Sequence, residues 1–237
     1  MRVIGLYVHP VKGCRALTLE EATLGALGLE QDRRFAFVRP DGVVLTQRDQ
    51  PLLATILPQL DARGLRLDFG GLFCLEFAAG EFAEPLNVEV WSKPVAARAL
   101  PGGKATKAAD YLGAPVRLAM LEREAERAFV DSQPVLVTST GMLARLALPG
   151  IGMERFRPNV VLQGDGDWRE LSGEEVVLQY VKPCGRCEVT TIDQATGAGR
   201  GPEPLRTLTE RFDGNFGLYY RVTRAGRLRL GERVQGT

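Results

Sequence analysis

The segment Val181-Lys-Pro-Cys-Gly-Arg-Cys-Glu-Val-Thr-Thr-Ile-Asp-Gln-Ala-Thr-Gly197 constrains this chain most, because it places two of the four cysteines in one short connection. Val176 to Val181 ahead of it and Val189 to Ile192 behind it are rich in β-branched and aromatic residues, and Asp193 to Gly197 supplies turn chemistry. The sequence therefore predicts strand, cysteine pair, strand and turn. A thioredoxin-type pair opens a helix whose N-terminus lowers the pKa of the first thiol, and a strand after Cys187 argues against that chemistry. A tetrahedral zinc or iron–sulfur site needs about four ligands, whereas Cys14 and Cys74 stand alone and the single histidine is His9. Side chains alternate along an extended chain, so one cysteine of the pair is expected to face a site while the other packs inward.

At 237 residues and 45% apolar side chains, the chain can form one large or two small domains with a buried core. Its 30 basic and 29 acidic residues leave a net charge of +1, which gives a nucleic-acid or anionic-membrane partner no global electrostatic support. No apolar stretch approaches the ~20 residues of a membrane helix. The N-terminal run breaks into Pro10 and Lys12 before reaching signal-peptide length and lacks the look of a transit peptide. With few cysteines, the expectation is a cytoplasmic protein with reduced thiols and no membrane partner.

Residues 1–95 read as short strands: Arg2 to Val8, Leu17 to Leu24, a hairpin from Phe35–Val38 through Pro40-Asp41-Gly42 into Val43–Thr46, then Leu65–Phe69, Phe73–Phe77 and Val88–Trp91. Residues 96–237 read as a second β-rich lobe with a few short helices, among them Lys104 to Leu112 closed by Gly113, and one capped by Ser139. Strands are expected at 115–120, 135–138 and 160–163, with a helical turn at 205–211. Residues 216–222 and 226–230 are expected to close the chain as a β-pair. The joint is placed at residues 92–104, rich in proline and glycine.

Four motifs occur in order: Pro10-Val11-Lys12-Gly13-Cys14, Asp32-Arg33-Arg34-Phe35, Phe156-Arg157-Pro158-Asn159, and Lys182 to Gly197. On these the chain resembles the MOSC family, the molybdenum-cofactor sulfurase C-terminal domains, and within it the branch of the mitochondrial amidoxime-reducing component and its bacterial relatives. The resemblance implies a mainly β fold, with a MOSC N-terminal β-barrel-like domain at 1–95 and a MOSC β-barrel domain at 96–237. It implies a molybdenum cofactor (Mo-molybdopterin), not pyridoxal phosphate, with Cys187 as catalytic residue and metal ligand. Lys12, Gly13, Arg34, Ser132, Arg157, Asn159, Gly185 and Arg186 would bind the cofactor. The implied reaction reduces small N-hydroxylated compounds, hydroxylamines or amidoximes. Electrons would come from a separate protein, ferredoxin-like or cytochrome b5-like with a reductase, because the plant-type Cys-x4-Cys-x2-Cys spacing is lacking. Two other readings are a sulfur carrier or sulfurtransferase with a persulfide on Cys187, and a non-catalytic cofactor carrier.

The residues alone say less. Arginine offers a planar fork for phosphate and lysine a compact charge, and Arg186 beside Cys187 would favour a thiolate. Each cation taken singly is a solvated surface charge, Asn159 a turn residue, Ser132 part of an ordinary loop and His9 a strand residue. Cys14 and Cys74 are small buried hydrophobes on this reading, with Cys184 available for packing. Relatives in the branch often carry Gly-Asp where this chain has Ser92-Lys93.

Overall fold

A computed structural model describes residues 1–199 and 201–237 of the chain. The first strand, Arg2–Val8, alternates side chains so that Val3, Leu6 and Val8 are buried while Arg2 and Ile4 are exposed. It joins an eight-stranded sheet in the order Gln235–Gly236, Glu170–Ser172, Val177–Gly185, Asn215–Arg224, Val135–Ser139, Val160–Gln163, Arg2–Val8, Leu17–Thr18. Neighbours run antiparallel except Val135–Ser139 beside Val160–Gln163, which are parallel. The crossover between those two carries the helix Thr140–Leu146, opened as expected by Ser139, whose Oγ accepts from Met142 N at 3.2 Å.

Three smaller sheets complete the molecule. Phe35–Val38, Arg117–Leu121, Lys93–Ala99 and Glu84–Val90 form one. Gly226–Arg229, Glu21–Gly25 and Gly28–Leu29 form another, and Ile56–Asp61, Gly64–Phe69 and Cys74–Phe77 the last. The mainly β architecture with a few short helices agrees with the sequence. Each α-helix, Thr106–Leu112, Thr140–Leu146 and Leu205–Arg211, is seven residues long, and Gly113 closes the first with φ 60°. Among the described residues the hydrogen-bonded sheets are open, and no helix is long and apolar enough to cross a membrane.

Several local expectations are corrected. Glu188–Thr191 is a single 3-10 turn, not a strand, because its threonines bond backward: Thr190 Oγ1 donates to Cys187 O at 3.0 Å and Thr191 Oγ1 to Glu188 O at 2.7 Å. Gly226–Arg229 pairs with Glu21–Gly25 instead of Asn215–Arg224, which lies between Val135–Ser139 and Val177–Gly185. Within the expected joint, Lys93–Ala99 is a strand paired on both sides. The hairpin through Gly42 does form, Arg39 N donating to Val43 O at 2.9 Å and Leu45 N to Phe37 O at 2.8 Å. Leu17–Leu24 splits into two strands, Leu17–Thr18 and Glu21–Gly25.

The core has three clusters. One surrounds Leu6, Val137, Phe156, Leu218 and Tyr220, a second Phe35, Phe37, Leu53, Phe69 and Leu118, and a third Val38, Val88, Val95 and Phe129. Each fully buried aliphatic or aromatic side chain contributes roughly 1.5–3 kcal/mol. Strands that begin the chain thus pack with strands from its second half.

Candidate functional site

The strand Val177–Gly185 delivers the cysteine pair to a cavity of about 510 Å³. Register shifts between Tyr180 and Lys182 and again between Pro183 and Gly185 re-aim its last residues. Cys184 is buried, Cys187 is exposed at the head of the 3-10 turn, and both line the cavity. Arg186 does not serve Cys187. Its Nη1 donates to Cys184 Sγ at 2.9 Å and its Nη2 to Phe156 O at 2.8 Å, with the guanidinium carbon 5.7 Å from the Phe156 ring centre. The cation at the Cys187 thiol is Arg48, whose Nη1 stands 3.9 Å from Sγ. Tyr219, beside Cys184, has its phenol pushed up by burial and by that cysteine.

Further lining residues come from the first half of the chain, with Asp131 joining them. Gly13 has φ +84°, and a Cβ there would meet Leu53 Cδ1 at 2.9 Å, so the turn after Lys12 requires glycine. Lys12 Nζ donates to Asp131 Oδ1 at 2.6 Å, and Trp91 Nε1 donates to the same oxygen at 2.8 Å. Burial pushes the Lys12 ammonium down and Asp131 opposes that shift, while Arg33 and Arg157 add to it. Burial acts to raise the Asp131 carboxyl, but Lys12, Trp91 and Arg48 outweigh it and hold the group well below the usual carboxylate range. Asp131 is therefore an anion at neutral pH.

Arg33 and Arg157, with left-handed φ of 50° and 52°, line the cavity as well. Arg33 Nη1 is paired with the buried Asp32 carboxylate and its Nη2 donates to Arg157 O at 3.4 Å. Arg157 Nη1 donates to Gln194 Oε1 at 3.0 Å. Burial, helped by Arg33, lowers the Arg157 guanidinium to about 10, which leaves it charged at neutral pH. Gln194 is itself locked to Gln47 by reciprocal amide bonds of 2.9 and 3.0 Å, and Gln47 also donates to Gly13 O at 2.6 Å. Asn159 uses its amide structurally: its Oδ1 accepts from Leu136 N at 3.1 Å and its Nδ2 donates to Tyr7 O at 3.2 Å, clamping the strands on either side of Val160–Gln163.

Of the residues singled out from sequence, Lys12, Gly13, Ser132, Arg157, Asn159, Gly185, Arg186 and Cys187 all line this cavity. Arg34 does not; Arg33, whose backbone is left-handed, takes that place. Sequence reasoning passed over Arg48 and Gln47, and gave Trp91 and Lys182, though both fall in segments it singled out, no role at the site. His9 is buried, donates from Nε2 to Pro158 O at 3.2 Å, and is held well below its ordinary pKa by burial and by Arg33 and Arg157. Cys14 is buried with its thiol pushed up to about 12, whereas Cys74 is exposed and accepts from Arg66 Nη2 at 3.0 Å, contrary to the expectation of a buried hydrophobe. The cavity wall thus carries six cations, Lys12, Arg33, Arg48, Arg157, Lys182 and Arg186, against one carboxylate, Asp131. That excess of positive charge favours an anion beside an exposed thiol.

Two family descriptions match this chain end to end in sequence order: a MOSC N-terminal beta barrel domain over residues 1–115 and a MOSC domain over residues 124–235. The chain belongs to the MOSC family. Mitochondrial amidoxime reducing component 2 of Macaca fascicularis is 27% identical to this MOSC protein over 284 residues, spanning 98% of this chain and 82% of its own length. The human protein of the same name shows the same identity and coverage. Mitochondrial amidoxime-reducing component 1 of Danio rerio is 28% identical, over 98% of this chain and 83% of its own.

Proposed function

We propose that this MOSC protein is a molybdenum-cofactor-dependent oxidoreductase that reduces small N-hydroxylated compounds in a cytoplasm. The observation that carries the reading is the cavity wall of six cations and one carboxylate around the exposed Cys187 thiol. The relatives named amidoxime-reducing components support the reaction type. Among the described residues no three His, Cys, Asp or Glu side chains cluster, so a metal at Cys187 needs donors from a cofactor as well as from the protein. Arg186 Nε, buried in that wall with no partner among the described residues, is a donor the protein leaves unmatched. The residues fit such a cofactor.

In this reading Cys187 is the protein's ligand to the metal. Lys12, Arg33, Arg157 and Arg186, with the close backbone approach given by Gly13 and Gly185, hold the cofactor's phosphate and pterin, and Ser132 adds a hydroxyl at the rim. When bound, the cofactor supplies a metal that exchanges two electrons and an oxygen atom. The net reaction cleaves the N–O bond, consumes two electrons and two protons, and releases amine or amidine and water. A separate donor protein, ferredoxin-like or cytochrome b5-like with its reductase, provides the electrons.

The test is molybdenum and pterin content of protein purified from a host that makes the cofactor, wild type beside Cys187→Ala, followed by turnover of N-hydroxybenzamidine with a chemical reductant. Near-stoichiometric molybdenum and pterin with N–O reduction, lost in the variant, is expected. Folded wild type that carries neither, but bears transferable sulfane sulfur on Cys187, replaces this reading with a sulfur carrier.

A further inference from the structure

The two-residue connection between Glu84–Val90 and Lys93–Ala99 is Trp91-Ser92, and both residues are left-handed, with φ of 52° and 58°. Such a turn favours glycine, asparagine or aspartate. The chain instead places its largest side chain there, and core packing does not compensate, because Trp91 is 59% exposed. Two contacts fix the ring: its Nε1 donates to Asp131 at 2.8 Å and the Arg48 guanidinium lies 4.5 Å from its centre. That guanidinium also reaches the Cys187 thiol, at 3.9 Å. An oriented, solvent-facing indole therefore stands in the wall of the cavity that holds Cys187.

We propose that Trp91 is a specificity-determining residue, a stacking platform that selects planar, π-delocalised N-hydroxylated substrates such as aromatic amidoximes over small aliphatic ones. This rests on the reductase reading. A flat ligand gains from an aromatic face that is already oriented, since neither partner has to be ordered on binding. Arg48, 4.5 Å from the indole centre, reaches on to the Cys187 thiol, so a substrate stacked on the exposed indole has its polar end among the cavity's cations. A small aliphatic amidoxime shares the reacting group but offers no aromatic ring to stack.

The deciding experiment compares N-hydroxybenzamidine with N-hydroxyacetamidine, which differ only in phenyl against methyl, on cofactor-loaded wild type, Trp91→Ala and Trp91→Phe. The ratio of kcat/KM for the aromatic over the aliphatic substrate should fall roughly tenfold in Trp91→Ala, the weight of one aromatic stack. Trp91→Phe, which keeps a ring but loses the Asp131 bond, should restore most of it. An unchanged ratio in Trp91→Ala, or a ratio that falls equally in Trp91→Phe, overturns the proposal. A second reading needs no turnover. The chain has two tryptophans, and Trp168 is only 9% exposed, so N-hydroxybenzamidine added without reductant should quench Trp91 emission. Quenching that persists undiminished in Trp91→Phe, or none in wild type, rules the platform out. If neither substrate turns over in wild type, the reductase reading fails, while the quenching result still decides whether Trp91 binds planar ligands.

Discussion

Cys184 and Cys187 sit three positions apart and live in different environments, which makes them separable by mutation. Cys187 is exposed, so Cys187→Ala should change stability by less than about 0.5 kcal/mol yet lower the proposed reductase activity by more than about a hundredfold, the scale of losing a metal-site ligand or its support. Cys184 is buried and accepts from Arg186, so Cys184→Ala should cost about 1 kcal/mol in a denaturant melt and leave activity within roughly tenfold. Equal activity in the two variants would remove the ligand assignment. His9 offers a second residue-level test, because it is the chain's one histidine and its folded pKa is depressed by burial, then by Arg33 and Arg157. Below about pH 6.5 the unfolded chain takes up a proton that the folded one refuses, so stability falls with pH by up to about 1.4 kcal/mol per unit. Asp32, which accepts from the His9 backbone, and Pro158 O, which accepts from its ring, do not reverse that sign. His9→Gln should flatten the wild-type loss between about pH 6.5 and 5, where carboxylates contribute little; parallel curves for the two proteins would show that His9 is not the group responsible.

At the scale of elements, the left-handed Trp91-Ser92 turn stores strain that one substitution can release. A non-glycine residue in this region costs about 1 kcal/mol, and Ser92→Gly should therefore raise stability by roughly 0.5–1 kcal/mol after the added unfolded-state entropy is subtracted. A lower denaturation midpoint for Ser92→Gly would mean that the serine side chain holds the turn. The same turn shows where sequence reading stops. Alternation located Arg2–Val8, Gly64–Phe69, Cys74–Phe77 and Val160–Gln163, whose apolar side chains alternate or run together as strands do. Ile56–Asp61 and Lys93–Ala99 escaped because each carries a proline, Pro58 or Pro94, that argues against a paired strand. Val189-Thr190-Thr191 carried strand propensity that lost to two hydroxyl–carbonyl bonds within the segment. Motif order located most of the cavity, but choosing Arg33 over Arg34 needs a backbone angle, and the Gln47–Gln194 pair joins positions 147 apart. Neither leaves a local trace in the sequence.

For the whole molecule, the site and the cores are shared along the chain. Lys12, Gly13, Arg33, Arg48 and Trp91 form part of the cavity wall, and Ser132, Arg157 and residues 182–187 form another part. Arg2–Val8 pairs with Val160–Gln163, and Glu21–Gly25 with Gly226–Arg229, so strands of the two stretches share common sheets. Val3, Leu6, Ala22 and Leu24 are buried in the cluster that also holds Val137, Val160 and Tyr220. A fragment of residues 96–237 would lose these four side chains and expose the Val160–Gln163 edge, with its main-chain donors and acceptors unpaired. Loss of a single well-buried aliphatic residue costs about 2–5 kcal/mol, and domains hold about 5–15 kcal/mol in total, so removing the first 95 residues should abolish cooperative unfolding. The measurement is a thermal melt of the fragment by circular dichroism, beside the fragment co-expressed with residues 1–95. A sharp transition from 96–237 alone would show that the second stretch is a self-sufficient domain and that the N-terminal strands decorate it. A transition that appears only when both pieces are present would mean that the chain's first strands complete the second lobe's sheet, and that the anion-receiving cavity and its thiol come into being together.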